Sequence, residues 1–197
     1  MRLRHFRIIL ALTCVTLFSA CSRDGRDLQE PSADQQESIA VTTTAGAEIA
    51  PVGSFALAPQ WAEGAQLDAR FTCASGISPS LTFQNVAPDV VTLALSIVDE
   101  TANNAVQWIV ANIQPSETVV AEGSVPTGAI EATNSLGSVG YGAPCPPAGE
   151  THTYRLTGYG LSQQLELENG VDSATLIQAI ELAALDTQSS SFIVTSN

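Results

Sequence analysis

Few side chains in this 197-residue chain can do chemistry of their own. There are four cysteines and two histidines, and only Cys73, Cys145 and His152 lie beyond the first twenty-one residues. An isolated cysteine pair in an exported chain reads as a disulfide, because the compartment is oxidising. Closing a loop of about seventy residues in this way contributes roughly 4 kcal/mol in the loop-entropy account. The rival reading makes Cys145 a nucleophile with His152 as its base, but an oxidising compartment favours pairing and no third orienting group is evident in the sequence. A structural zinc would need a carboxylate to complete its four ligands, so no metal is expected. Serine-elbow, phosphate-loop, His-Glu-x-x-His and calcium-loop signatures are all absent from the sequence. What stands out is the segment from Asn134 to Gly149, where Gly140, Gly142, Pro144, Pro146 and Pro147 lead into His152 and Tyr154. Two readings of it stay open: bare glycine N–H groups forming an anion nest beside the histidine, or a tight crossover loop stapled by Cys145.

These residues need a scaffold, and the chain before it is of a different kind. Arg2, Arg4 and Arg7 precede the apolar run Ile8–Phe18, which is too short for a bilayer span of ~20 residues and suits the core of an export signal. Leu17-Phe18-Ser19-Ala20-Cys21 resembles a lipobox, which makes Cys21 the acylated first residue of a lipoprotein, with plain secretion as the alternative. Ser22 next to it resembles the outer-membrane sorting pattern. Residues 22–51 are polar and small and read as a disordered tether. The folded domain is then 52–197. It carries two arginines, Arg70 and Arg155, against fourteen carboxylates, and the whole chain has no lysine and a net charge of −13. Nucleic acid is excluded as a partner, since phosphate contacts need clustered basic residues.

Within the domain, short runs of period two predict strands at 55–58, 70–73, 81–84, 92–97, 107–113, 118–121, 153–159, 164–167 and 191–195, separated by turn residues. Trp108 is expected in the core, and Tyr141 against the proline loop. One helix is predicted, capped near Asp172-Ser173 and running to about Leu185, with Leu176, Ile180 and Ala184 on its packed face. This pattern is that of a mainly β sandwich.

The order of motifs resembles the phosphatidylethanolamine-binding protein family, also called Raf-kinase-inhibitor-like proteins, in its bacterial branch. The residues concerned are Phe71-Thr72-Cys73 with Gly76, Ser78-Pro79-Ser80-Leu81-Thr82-Phe83, Val86-Ala87-Pro88, Ile97-Val98-Asp99, Gln107 to Ile113, and Gly140 to Gly149 leading into His152-Thr153-Tyr154. The resemblance implies a Greek-key sandwich of two antiparallel sheets with a C-terminal helix, and it supports the Cys73–Cys145 disulfide. It also implies a small anion pocket lined by Asp99, Gln107, Gly142, Ala143, Pro144, His152 and Tyr154. Several pocket positions depart from the family pattern. Asp-Pro-Asp-Ala reads Asp99-Glu100-Thr101-Ala102 here, the usual histidine is Gln107, and Thr153 replaces a basic residue. Gln107 donates a hydrogen bond but cannot become cationic, so anion binding should be weaker and less pH-dependent than with two histidines. Asp99 either restrains His152 or caps the strand turn. Arg155 falls on the opposite strand face from Tyr154 and is not counted as a ligand.

The resulting expectation is a non-enzymatic envelope lipoprotein that captures a small anion or a phospholipid headgroup, without a cofactor. The alternative is a protein-interaction module with a vestigial pocket, as the family's kinase- and protease-inhibitor members suggest.

Overall fold

The run Thr92–Asp99 is buried along almost its whole length, on both faces, so layers must cover it on either side. The computed structural model describes residues 53–196. The export signal, Cys21 and the tether lie outside the described residues. The strands are β1 (Ala56–Pro59), β2 (Ala65–Gln66), β3 (Leu81–Gln84), β4 (Thr92–Asp99), β5 (Ala105–Ile113), β6 (Val119–Val120), β7 (Ile130–Glu131), β8 (Thr151–Leu161) and β9 (Ala184–Thr195), with helix α1 (Ser173–Ala183) between the last two. A three-stranded sheet of order β1-β3-β6 faces a six-stranded sheet of order β2-β9-β8-β4-β5-β7. In the larger sheet β8 returns past β5 to pair with β4, which is the long connection of a Greek key. All pairings are antiparallel except β2 with β9, which is parallel.

Strand alternation sends one set of side chains to each face. Leu93, Leu95, Ile97, Trp108, Val110, Tyr154, Leu156 and Phe192 form the core between the sheets with Leu57, Leu81 and Phe83. Ala94, Ile109, Ala111, Tyr159 and Leu161 form a second core under Leu176, Ile180 and Ala183 of α1. Each fully buried Leu, Ile, Val or Phe of these cores stabilises the fold by about 1.5–3 kcal/mol. The sheets approach closely at Gly158, where a Cβ would lie 2.6 Å from that of Leu57.

Two bulges reshape β5. Ile97 pairs with Trp108 but Val98 with Val106, leaving Gln107 as the extra residue. A second register shift falls near Asn112, whose φ is 60°. There the Asn112 amide donates to the Leu165 carbonyl at 2.9 Å and accepts from its N–H at 2.8 Å. With Leu165 so satisfied, 164–167 forms no strand, contrary to the expectation from its apolar content. Residues 70–73 are not a strand either. Asp68 Oδ1 caps a 3-10 turn over Ala69–Phe71 by accepting from Arg70 N–H, and the Thr72 hydroxyl donates to the Ala69 carbonyl. The helix is capped as expected by Asp172, which accepts from Thr175 N–H at 2.9 Å. It ends earlier, so Ala183 rather than Ala184 is its third buried residue. Cys73 and Cys145 are disulfide-bonded, with Cα atoms 5.3 Å apart.

Candidate functional site

Asp99 is the last residue of β4, and cross-strand pairing sets it opposite Tyr154 of β8. His152, two residues before Tyr154, falls on the same strand face. The three are thus assembled by register alone, at the end of the inter-sheet core. Asp99 and His152 are both buried, at 4% and 8% exposure. Asp99 Oδ2 lies 2.7 Å from His152 Nδ1, while Oδ1 accepts from the N–H groups of Thr101 and Ala102, each at 3.0 Å. The two roles considered for Asp99 are therefore both realised, one oxygen to each.

The other imidazole nitrogen, Nε2, lies 3.2 Å from Glu150 Oε2. Two carboxylates can both be satisfied only if both nitrogens carry protons. The hydrogen bond to Asp99 raises the His152 pKa above the usual imidazole range; burial opposes this, and Glu150 adds to it. Glu150 was missed in the sequence, although a carboxylate two residues before a strand histidine shares its face. Its side chain is 58% exposed, so the outer contact is solvent-screened while the inner one is not.

Tyr154 stacks on Phe192 at 5.1 Å between ring centroids, and burial, reinforced by the Asp99 carboxylate, pushes its phenol pKa well up. It therefore stays a neutral donor. Gln107 is buried at its bulge, and its side chain makes no hydrogen bond among the described residues. Its carbonyl accepts from Gly142 N–H at 2.7 Å, and the Ala132 carbonyl accepts from Gly140 N–H at 3.2 Å. The glycine N–H groups are consequently not presented to an anion, because buried backbone donors are paired within the fold. Ala143 N–H, by contrast, meets no acceptor among the described residues. The Pro144 carbonyl accepts from Cys73 N–H at 3.2 Å, so the disulfide and this bond hold the loop together. Pro144 also borders a cavity of about 110 Å³ with Val194, the cross-strand partner of His152, but Asp99, Gln107, His152 and Tyr154 do not line it.

Trp108 is fully buried, as expected. Tyr141 packs edge-on against Trp108 at 5.4 Å and donates to the Phe71 carbonyl at 2.5 Å, so its main partners are the core and the 3-10 turn. Arg155 pairs with Glu100, away from Tyr154. Among the described residues no group of three or more His, Cys, Asp or Glu is placed to hold a metal.

A family model described as phosphatidylethanolamine-binding protein matches residues 58–194. A Mycobacterium tuberculosis relative named "Putative lipoprotein LppC" is 36% identical over 180 residues, covering 88% of this chain and 87% of its own length. A UPF0098 protein of Methanothermobacter thermautotrophicus is 34% identical over 124 residues, 59% of this chain and 82% of that one. Among solved structures, the "Putative PhosphatidylEthanolamine-Binding Protein (PEBP) Homolog CT736" of Chlamydia trachomatis superposes with a TM-score of 0.66 at 27% identity, over 73% of this chain and 99% of its own. YbcL of E. coli, described as a member of the mammalian family of this name, superposes at 0.68 with 22% identity, over 74% of this chain and 100% of its own, a likeness of fold alone. The matched span runs from within β1 to within β9 and takes in both sheets and the helix, and on that ground the chain belongs to the phosphatidylethanolamine-binding protein family.

Proposed function

We propose that the domain is a non-enzymatic binding module that captures a small oxyanion, free phosphate or a phospholipid headgroup, at His152. The observation that supports this most directly is the buried Asp99–His152 pair, which favours a cationic imidazole with one nitrogen directed to an exposed, displaceable carboxylate. An anion oxygen would replace Glu150 at Nε2, with the Tyr154 hydroxyl, the Gln107 amide and the Ala143 N–H as further donors. Burial and the fixed Asp99 contact suit charge-assisted hydrogen bonding. The name of the mycobacterial relative supports a lipid anchor at Cys21 in this chain too. Ser22 directs it to an outer membrane, facing the periplasm, in an envelope that has one.

A second reading has its own observation. Glu150 already fills the outer position, and Leu136 and Val139 of the neighbouring loop are 67% and 49% exposed, which suits a protein-interaction module with a self-filled pocket. Titration of the full chain in detergent with phosphate and phosphoethanolamine, followed by 31P NMR or calorimetry, separates the two. Saturable binding that His152→Ala abolishes, in a variant whose circular dichroism shows it still folded at the titration temperature, supports anion capture. Absence of binding in the millimolar range refutes it and favours the interaction module.

A further inference from the structure

Glu131 lies outside the His152 site, and its carboxylate is held in a defined position. Its N–H donates to Asn169 Oδ1 at 2.9 Å, and its carbonyl accepts from Gly170 N–H at 2.7 Å, so the backbone is pinned. The Trp108 indole N–H donates to Oε1 at 2.7 Å. Room for the carboxylate exists because position 140 is glycine. A Cβ there would lie 3.0 Å from Oε1 and 3.3 Å from Oε2, and the φ of +94° at Gly140 favours glycine on its own account. Oε2 makes no hydrogen bond among the described residues and is open to solvent, as it is not one of the buried unpaired atoms.

This half-satisfied carboxylate borders a cavity of about 360 Å³, walled also by Trp108, Tyr141, Ile77, Val125 and Gly140. Asp99, Gln107, His152 and Tyr154 do not line it. Among the described residues neither arginine is available to neutralise Glu131. Arg70 pairs with Asp68 and Glu122, and Arg155 with Glu100. With a net charge of −13, the chain's field draws cations toward such a group. A hard metal ion would want several charged oxygens, whereas one carboxylate beside aromatic and aliphatic side chains, with Ser78 and Ser124 completing a mixed wall, suits an ammonium that carries a short apolar arm.

We propose that the cavity binds an organic ammonium whose N–H donates to Glu131 Oε2 and whose short aliphatic arm lies against Tyr141, Ile77 and Val125. The ammonium is that of a free alkylamine or of a lysyl side chain; both present the same chemistry. One charge-assisted contact plus a few buried methylenes corresponds to a dissociation constant of ~1–10 mM.

The test titrates the full chain in detergent with n-butylammonium, n-butanol and N-acetyl-lysine amide, reading the indole N–H signals by 1H–15N NMR. Trp61 serves as the internal reference, since Trp108 is the other tryptophan. The expected result is a saturable shift of the Trp108 signal with butylammonium and none with butanol. A matching response to the lysine derivative admits lysyl side chains as a source, and its absence restricts the site to free amines. Glu131→Gln keeps an oxygen for the indole and should weaken binding at least ~10-fold. Val125→Phe narrows the cavity without touching the Glu131–Trp108 bond and should likewise lose binding, which keeps the test decisive if the glutamine variant misfolds. Equal shifts with butanol, unchanged affinity in the folded variants, or no response up to about 50 mM amine would each overturn the proposal.

Discussion

If an anion reaches His152 by displacing Glu150, removing that carboxylate should strengthen binding. The contact to be broken spans 3.2 Å and involves a side chain 58% exposed, which places it among solvent-screened pairs worth about 0.2–1 kcal/mol. Glu150→Gln also removes a negative charge that would sit beside the incoming anion. At ~4 Å in a water-like dielectric that repulsion is about 1 kcal/mol. Together the two effects amount to roughly 1.2–2 kcal/mol, or about a 10-fold gain in affinity for phosphate, given that 1.4 kcal/mol is tenfold. Calorimetric titration at about pH 6, where imidazole is largely charged, reads the gain directly. Asp99 still faces Nδ1 in the variant, so the imidazolium keeps its buried partner. Stability should change by less than about 0.5 kcal/mol, as is usual for an exposed substitution. Unchanged or weaker phosphate binding in a folded Glu150→Gln protein would show that Glu150 does not occupy the anion position.

Asp99→Asn should cost about 3–5 kcal/mol in urea unfolding, because it leaves a buried histidine without its anionic partner. The same pair sets a pH dependence. The folded-state pKa of His152 is raised above its unfolded value of about 6.5, so its stabilisation is complete below that value and is lost as pH rises through the folded pKa. Melts at about pH 5.5 and 8.5 should therefore show a His152-dependent decline that Asp99→Asn flattens, and a stability difference independent of position 99 would contradict the assignment. Gly158→Ala should destabilise the sandwich by about 1–3 kcal/mol, since the new methyl would lie 2.6 Å from the Leu57 Cβ and force the two sheets to shift, and chemical denaturation measures it.

Much of the scaffold was legible because period-two alternation is a local signal. Leu93, Leu95 and Ile97 could be read as one face, Asp172 as a helix cap, and Cys73 with Cys145 as a pair. The departures came where a side chain competes for backbone groups. Asp68 turns 69–71 into a 3-10 turn, and Asn112 satisfies Leu165 without a strand partner, yet neither event shows in apolar content. At the site, family resemblance brought Asp99, His152 and Tyr154 together, and register between β4 and β8 gave that grouping its physical cause.

The composition and order of residues alone determined that the domain is acidic and β-rich, because charge and burial preference act residue by residue, and they pointed to one disulfide, whose closure the fold then supplied. Only the tertiary structure decided how each polar group is used. Whether the glycine N–H groups at 140 and 142 are free, which carboxylate sits on His152 Nε2, and why Glu131 fits beside Gly140 all depend on contacts between segments distant in the chain. Hydrogen bonds and close approaches are satisfied in space, and no local pattern of residues encodes their partners.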